Sequence, residues 1–126
     1  MAVNNPYSNY KQNAINTATP QELVLMLYDG CIKFINRAII GIEDKNLEMA
    51  NNNIIKAQNI VFELMISLDM DYEVSKDLEL QYDFMHRTLI DANIKKDKKL
   101  LEDVKELITD LRDTWKEAMK KANMGG

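Results

Sequence analysis

From Thr19 to Asn123 apolar residues recur every three or four positions in four successive runs of about twenty residues, each closed by a polar corner. That period belongs to amphipathic α-helices. The first run opens on Thr19-Pro20-Gln21-Glu22. Thr19 is a helix cap, Pro20 fits the first helical position, and Glu22 reaches back to the cap's N–H, so a capping box is predicted. The helix extends from about Pro20 to Ile42. One apolar row holds Leu23, Met26, Leu27, Gly30, Phe34, Ala38 and Gly41, and the next holds Val24, Tyr28, Cys31, Ile35, Ile39 and Ile42. Two rows are more than one seam needs, which implies contact with more than one neighbour. Gly30 costs about 1 kcal/mol relative to Ala inside a helix, so a close helix approach is expected there.

The second helix is predicted over about Leu47 to Leu68, with a seam of Leu47, Ala50, Ile54, Ala57, Val61, Leu64 and Leu68. Ile55, Phe62 and Ile66 form a second row about 100° further round. Phe62 either meets another neighbour in the bundle or floors an exposed groove. Asp71 is a candidate cap for a third helix over about Tyr72 to Ile94. Val74, Leu78, Met85, Leu89 and Ala92 give its seam, with Tyr82 beside it and Leu80, Phe84 and Ile94 in a second row. Asp97 caps a fourth helix, about Lys98 to Asn123, whose seam is Leu101, Val104, Ile108, Leu111, Trp115, Ala118 and Ala122. Corners this short make consecutive helices antiparallel. The expected fold is all-α, an antiparallel up-down-up-down four-helix bundle over 19–124, preceded by a mobile arm over 1–18.

The arm carries five Asn and few apolar residues beyond Val3, Tyr7, Tyr10 and Ile15. Tyr7 and Tyr10 fall on one side of a helical turn, and together with Ile15 they favour an arm that docks over one that merely frays. The formal net charge of -4 weighs against nucleic acid, and the run Lys95-Lys96-Asp97-Lys98-Lys99 is read as a solvated corner. The single cysteine, Cys31, excludes an intramolecular disulfide and is read as core filler. The N-terminus lacks the basic and apolar stretches of a secretory signal, and no apolar run is long enough to span a bilayer. A soluble, cytoplasmic protein is expected.

Helical bundles host di-iron sites built on two Glu-x-x-His pairs. This chain offers one loose analogue, Asp83-Phe84-Met85-His86, and no second histidine. No phosphate loop, CxxC pair or nucleophile–base spacing stands out either. No metal, cofactor or catalytic residue is expected, and His86 is assigned to a surface or groove edge. The eight methionines suit core filling more than an adaptable groove. Met26 and Met85 are assigned to the core, while Met49, Met65, Met70 and Met119 are candidates for partial exposure.

Several of these runs, taken in order, resemble one family. Thr17-Ala18-Thr19-Pro20-Gln21-Glu22-Leu23 followed by Met26-Leu27-Tyr28-Asp29-Gly30 is similar to the first-helix motif of the FliS flagellar export chaperones. Tyr7 and Tyr10 resemble that family's paired N-terminal aromatics. Lys56-Ala57-Gln58, Glu63-Leu64, Leu68-Asp69, Leu89, Ala92-Asn93, Asp97 and Leu111-Arg112-Asp113-Thr114-Trp115 resemble later motifs. The chain departs from the pattern at Asp77-Leu78, where Asn-Leu is frequent, and at Gln81-Tyr82, where Leu-Tyr is. The resemblance implies a partner, the C-terminal segment of flagellin, disordered before assembly, with export-gate components as further partners. It implies a chaperone that prevents premature polymerisation and supports export, and not an enzyme. The expected partner-binding residues are Tyr7, Tyr10, Ile15, Tyr28, Ile55, Lys56, Gln58, Phe62, Ala92, Asn93 and Trp115. Readings from other classes are a scaffold or signalling bundle that dimerises, which would also suit a homodimer of the free protein, and a metal-carrying bundle.

Overall fold

The computed structural model describes residues 17–125 and contains four helices: α1 (Pro20–Glu43), α2 (Leu47–Ile66), α3 (Val74–Lys95) and α4 (Lys98–Gly125). Tyr7, Tyr10 and Ile15 lie outside the described residues. The helices form a closed ring in which α1 packs on α2 and α4, and α3 packs on the same two. Cross-helix contacts give the directions. Glu43 at the end of α1 pairs with Lys98 at the start of α4, while Gln21 at the start of α1 accepts a hydrogen bond from Trp115 far along α4. Asn51 meets Asn93 and Phe62 meets His86, so α2 and α3 also run antiparallel. The up-down-up-down bundle is the observed architecture.

Local chemistry sets the helix ends. The Thr19 hydroxyl accepts from the Glu22 N–H at 3.1 Å, and the Thr19 N–H donates to the Glu22 carboxylate at 3.3 Å. This is the predicted capping box. Asn46 caps α2 through the Met49 N–H, and Asp97 caps α4 through the Lys99 N–H. Asp71 does not cap α3. That helix starts later, at Val74, with Glu73 at the cap position and no side-chain cap bond. The Ser75 hydroxyl donates to the Asp69 carbonyl, and the Asp71 N–H donates to the Asp69 carboxylate, so these bonds fold the corner into its own turn. At the end of α3, Lys96 adopts the left-handed conformation at φ 51°. Its ammonium folds back onto the carbonyl and side-chain oxygen of Asn93, which offsets the strain of a Cβ at positive φ.

Tyr28, Cys31, Ile35 and Ala38 of α1 meet Ile54, Ala57, Val61 and Leu64 of α2, Tyr82, Met85, Leu89 and Ala92 of α3, and Leu101, Val104 and Ile108 of α4 in one core. Two seam assignments fail at helix ends, where Leu47 and Val74 are exposed. Ala118 and Ala122 are exposed as well, because α4 outruns the start of α1 once Trp115 has reached Gln21. Met85 is core as expected, but Met26 is 37% exposed. Met26 lies nearly half a turn from the Tyr28–Cys31–Ile35–Ala38 stripe that faces inward.

The core holds three groups that keep their protons. Burial pushes the Cys31 thiol up from 9.0 to about 12. Burial is also the main cause that raises Tyr28 and Tyr82 above 10.0, and the hydrogen bond between the two hydroxyls raises Tyr82 further. The unfolded chain releases these protons first, so stability is intact below pH 9 and falls as pH rises past it. The melting temperature followed by circular dichroism is expected to hold to about pH 9 and then drop, with Cys31→Ala moving the onset toward pH 10. A melting temperature unchanged through pH 11 contradicts this account of the core.

Candidate partner-binding surface

The outer groove between α2 and α3 is lined by apolar side chains that the bundle leaves uncovered. On the α2 side Ile55, Phe62 and Ile66 are 41%, 52% and 63% exposed. Their spacings of seven and four align them on one face. The Phe62 ring lies 6.3 Å from the ring of His86 on α3, which fixes that face toward α3. Ile90 and Ile94 follow His86 at intervals of four and are exposed along the opposite wall, Ile94 at its outer rim. A polar bridge crosses one end of the groove, where the Asn93 amide donates to the Asn51 side-chain oxygen at 2.9 Å. Leu80 and Phe84 are also exposed, on the outer face of α3 that turns away from α2.

Single exposed apolar residues are ordinary, but a contiguous row shared by two helices marks an interaction surface. The model of the family described as Flagellar protein FliS matches residues 3–122. The chain belongs to the FliS family. It is 50% identical over 120 residues to a flagellar secretion chaperone FliS of Bacillus subtilis, covering 95% of this chain and 90% of that protein. It is 33% identical over 111 residues to the Escherichia coli flagellar secretion chaperone FliS, covering 86% and 82%. A crystal structure of a bacterial flagellar chaperone superposes with a TM-score of 0.76 over 92% of this chain and 96% of that one, at 20% identity, and shows the shared fold.

Within this FliS fold the expected binding residues fall in different places. Ile55 and Phe62 line the α2–α3 groove. Gln58 and Asn93 are half-buried on the sides of α2 and α3 that face each other. Ala92 is fully buried beneath them. Lys56 lies on the other side of α2, its ammonium 5.4 Å from the Phe34 ring, where Lys33 also approaches at 5.0 Å. Tyr28 is a core residue that shares a hydrogen bond with Tyr82. It reaches the floor of a cavity of about 540 Å³ at the end of the bundle. Pro20, Val24, Leu68, Tyr72, Leu78 and Trp115 line its walls. Residue patterns missed this cavity. Its floor joins two tyrosines 54 positions apart, and the only local sign was that both belong to, or adjoin, apolar seams. On the groove's other wall His86 had been assigned to a surface or groove edge and Ile94 to a second row, but Ile90 had no place in either predicted row.

No group of His, Cys, Asp and Glu able to hold a metal occurs among the described residues, and none of their helices is long and apolar enough to cross a membrane.

Proposed function

We propose that this chain is a cytoplasmic flagellar secretion chaperone that binds the disordered C-terminal segment of flagellin in its α2–α3 groove. Bound there, the segment is kept from polymerising early and is delivered toward the export gate. The observation that carries this reading is the exposed row Ile55, Phe62 and Ile66 facing Ile90 across a shared groove in a member of the FliS family. A disordered segment is ordered at a free-energy cost when it binds, so its chaperone needs apolar surface in an extended form. An amphipathic helix laid along two parallel walls meets that need. Calorimetry with the isolated flagellin segment tests the reading. One-to-one binding is expected, and no heat at micromolar protein contradicts it. Light scattering with and without the segment separates a one-to-one chaperone from a scaffold that dimerises through the same face.

The arm belongs to the same mechanism. Tyr7, Tyr10 and Ile15 supply apolar side chains that cover one groove in the absence of partner and move aside when it arrives. Tyr10→Ala is expected to weaken binding of the segment while helical content by circular dichroism stays the same. Unchanged affinity removes the arm from the mechanism.

A further inference from the structure

The cavity of about 540 Å³ at the end of the bundle keeps one hydrogen-bond donor at its closed end. Tyr28, Leu64 and Tyr82, each at most 2% exposed, form that end and separate it from the rest of the core. Two phenolic hydroxyls carry two protons between them, and their mutual bond uses one. The second proton has no acceptor among the described residues. Burial keeps both groups protonated, so the donor is present at neutral pH. Other donors of the lining are already engaged. The Ser67 hydroxyl donates to the Leu64 carbonyl, the Ser75 hydroxyl to the Asp69 carbonyl, and the Trp115 indole N–H to the Gln21 carbonyl. Val24, Leu68 and Leu78 make the walls between floor and mouth apolar.

We infer that this cavity is a binding site for a small, neutral, mostly apolar molecule whose carbonyl or similar acceptor takes the proton left over by the Tyr28–Tyr82 pair. A buried donor without a partner costs free energy that a matching acceptor recovers. The volume falls within the roughly 300–1,000 Å³ of small-molecule pockets, which are likewise apolar with a few placed polar groups. Charge argues for a neutral occupant. Asp69 stands at the mouth, and no cation lines the cavity among the described residues, so an anion meets repulsion and no counter-ion. Shape argues for a compact one. A groove open at both ends lets a helix pass through, whereas a pocket stopped by its floor takes a group that ends there. The site is separate from the α2–α3 groove, because none of Ile55, Phe62, Ile66, His86 and Ile90 lines it. Its walls come from all four helices, so an occupant also ties their ends together and stabilises the bundle.

Acetophenone and ethylbenzene, which differ only in a carbonyl against a methylene, test the site. Each is titrated into the full chain, and NMR follows the methyl groups of Val24, Leu68 and Leu78 and the indole of Trp115. Both probes are expected to shift these signals at millimolar concentration. Either tyrosine alone still supplies a donor, so Tyr28→Phe and Tyr82→Phe are combined. Replacing both hydrogen-bond partners by apolar rings of the same shape leaves the fold nearly unaffected, which circular dichroism checks. In the double variant acetophenone is expected to bind about tenfold more weakly and ethylbenzene no more weakly. A second measurement uses the unaltered chain alone. Nuclear Overhauser effects from the acetophenone methyl, next to its carbonyl, are expected at the ring protons of Tyr28 and Tyr82. Acetophenone affinity unchanged in the double variant, an equal loss for both probes, or effects from that methyl to Tyr72 alone overturns the inference. No shift at about 10 mM of either probe also overturns it and leaves the cavity to a protein segment.

Discussion

Phe62→Asp abolishes capture of the flagellin segment and leaves the bundle folded. Phe62 is 52% exposed, and its described ring neighbour is His86, so in the free protein an aspartate there is solvated and leaves the packing of the core unchanged. In the complex the same carboxylate is shut away from water against the apolar face of the partner. A buried, unpaired charge costs several kcal/mol, which corresponds to an affinity at least about 100-fold weaker. Ile66→Asp, four residues on, behaves in the same way. Val61→Asp is the contrasting variant, one position earlier and fully buried, and it unfolds the protein. Calorimetry and circular dichroism on the three variants read both properties. A Phe62→Asp protein that binds normally places the contact elsewhere, and one that unfolds shows the side chain to be core.

The second large effect concerns two glycines of α1 that the sequence does not tell apart. Gly41→Ala destabilises the bundle, and Gly30→Ala does not. A Cβ at Gly41 would stand 2.7 Å from the backbone nitrogen of Ala50 and 3.1 Å from its Cα and from the carbonyl oxygen of Asn46. All three are main-chain atoms at the start of α2, so the two helices must part to admit one methyl. Such overpacking, net of the gain in helix propensity, is expected to cost roughly 2 kcal/mol. For a domain of this size that lowers the melting temperature by roughly 5–10 °C. At Gly30 the added Cβ meets only the Cδ1 of Ile60, at 3.2 Å, the free tip of a half-buried side chain. A small rotation of Ile60 admits it, and the gain of about 1 kcal/mol in helix propensity offsets the adjustment. Thermal melts of the two single variants distinguish them. Equal losses would contradict the backbone contact at Gly41.

The same pair shows where residue patterns stop being informative. Gly30 was the expected point of close approach because a glycine inside a helix costs about 1 kcal/mol that a close contact offsets, yet the tighter approach is at Gly41, beside the corner that holds α1 and α2 together. Features that depend on a few consecutive residues were legible. The Thr19–Glu22 box, the Asp97 cap and the periods of all four helices follow from local hydrogen bonding and spacing. Asp71 looked like an equally local signal, but Asp69 and Ser75 take up the corner's hydrogen bonds and α3 starts past it. The rotation of each helix about its axis was not legible, because neighbours set it. Phe62 was left open between core and groove for that reason, and Met26 was assigned inward although α1 turns it out. Lys56 and Phe62 are six residues apart on α2, yet they face α1 and α3 respectively. The family motifs fall on all four helices and mix core positions such as Tyr28 and Ala92 with exposed ones such as Lys56, whereas Ile55 and Phe62 came from the second apolar row of α2.

The measurement that bears most directly on the account is methyl NMR of the isoleucines during titration with the flagellin C-terminal segment. Ile55, Ile66, Ile90 and Ile94 sit along the groove, whereas Ile40 is equally accessible on a different face, between α1 and α4. Shifts confined to the first four at a one-to-one endpoint are the result expected of a chain that offers this groove to another protein's helix. Shifts at Ile40 with the groove methyls unmoved would contradict it.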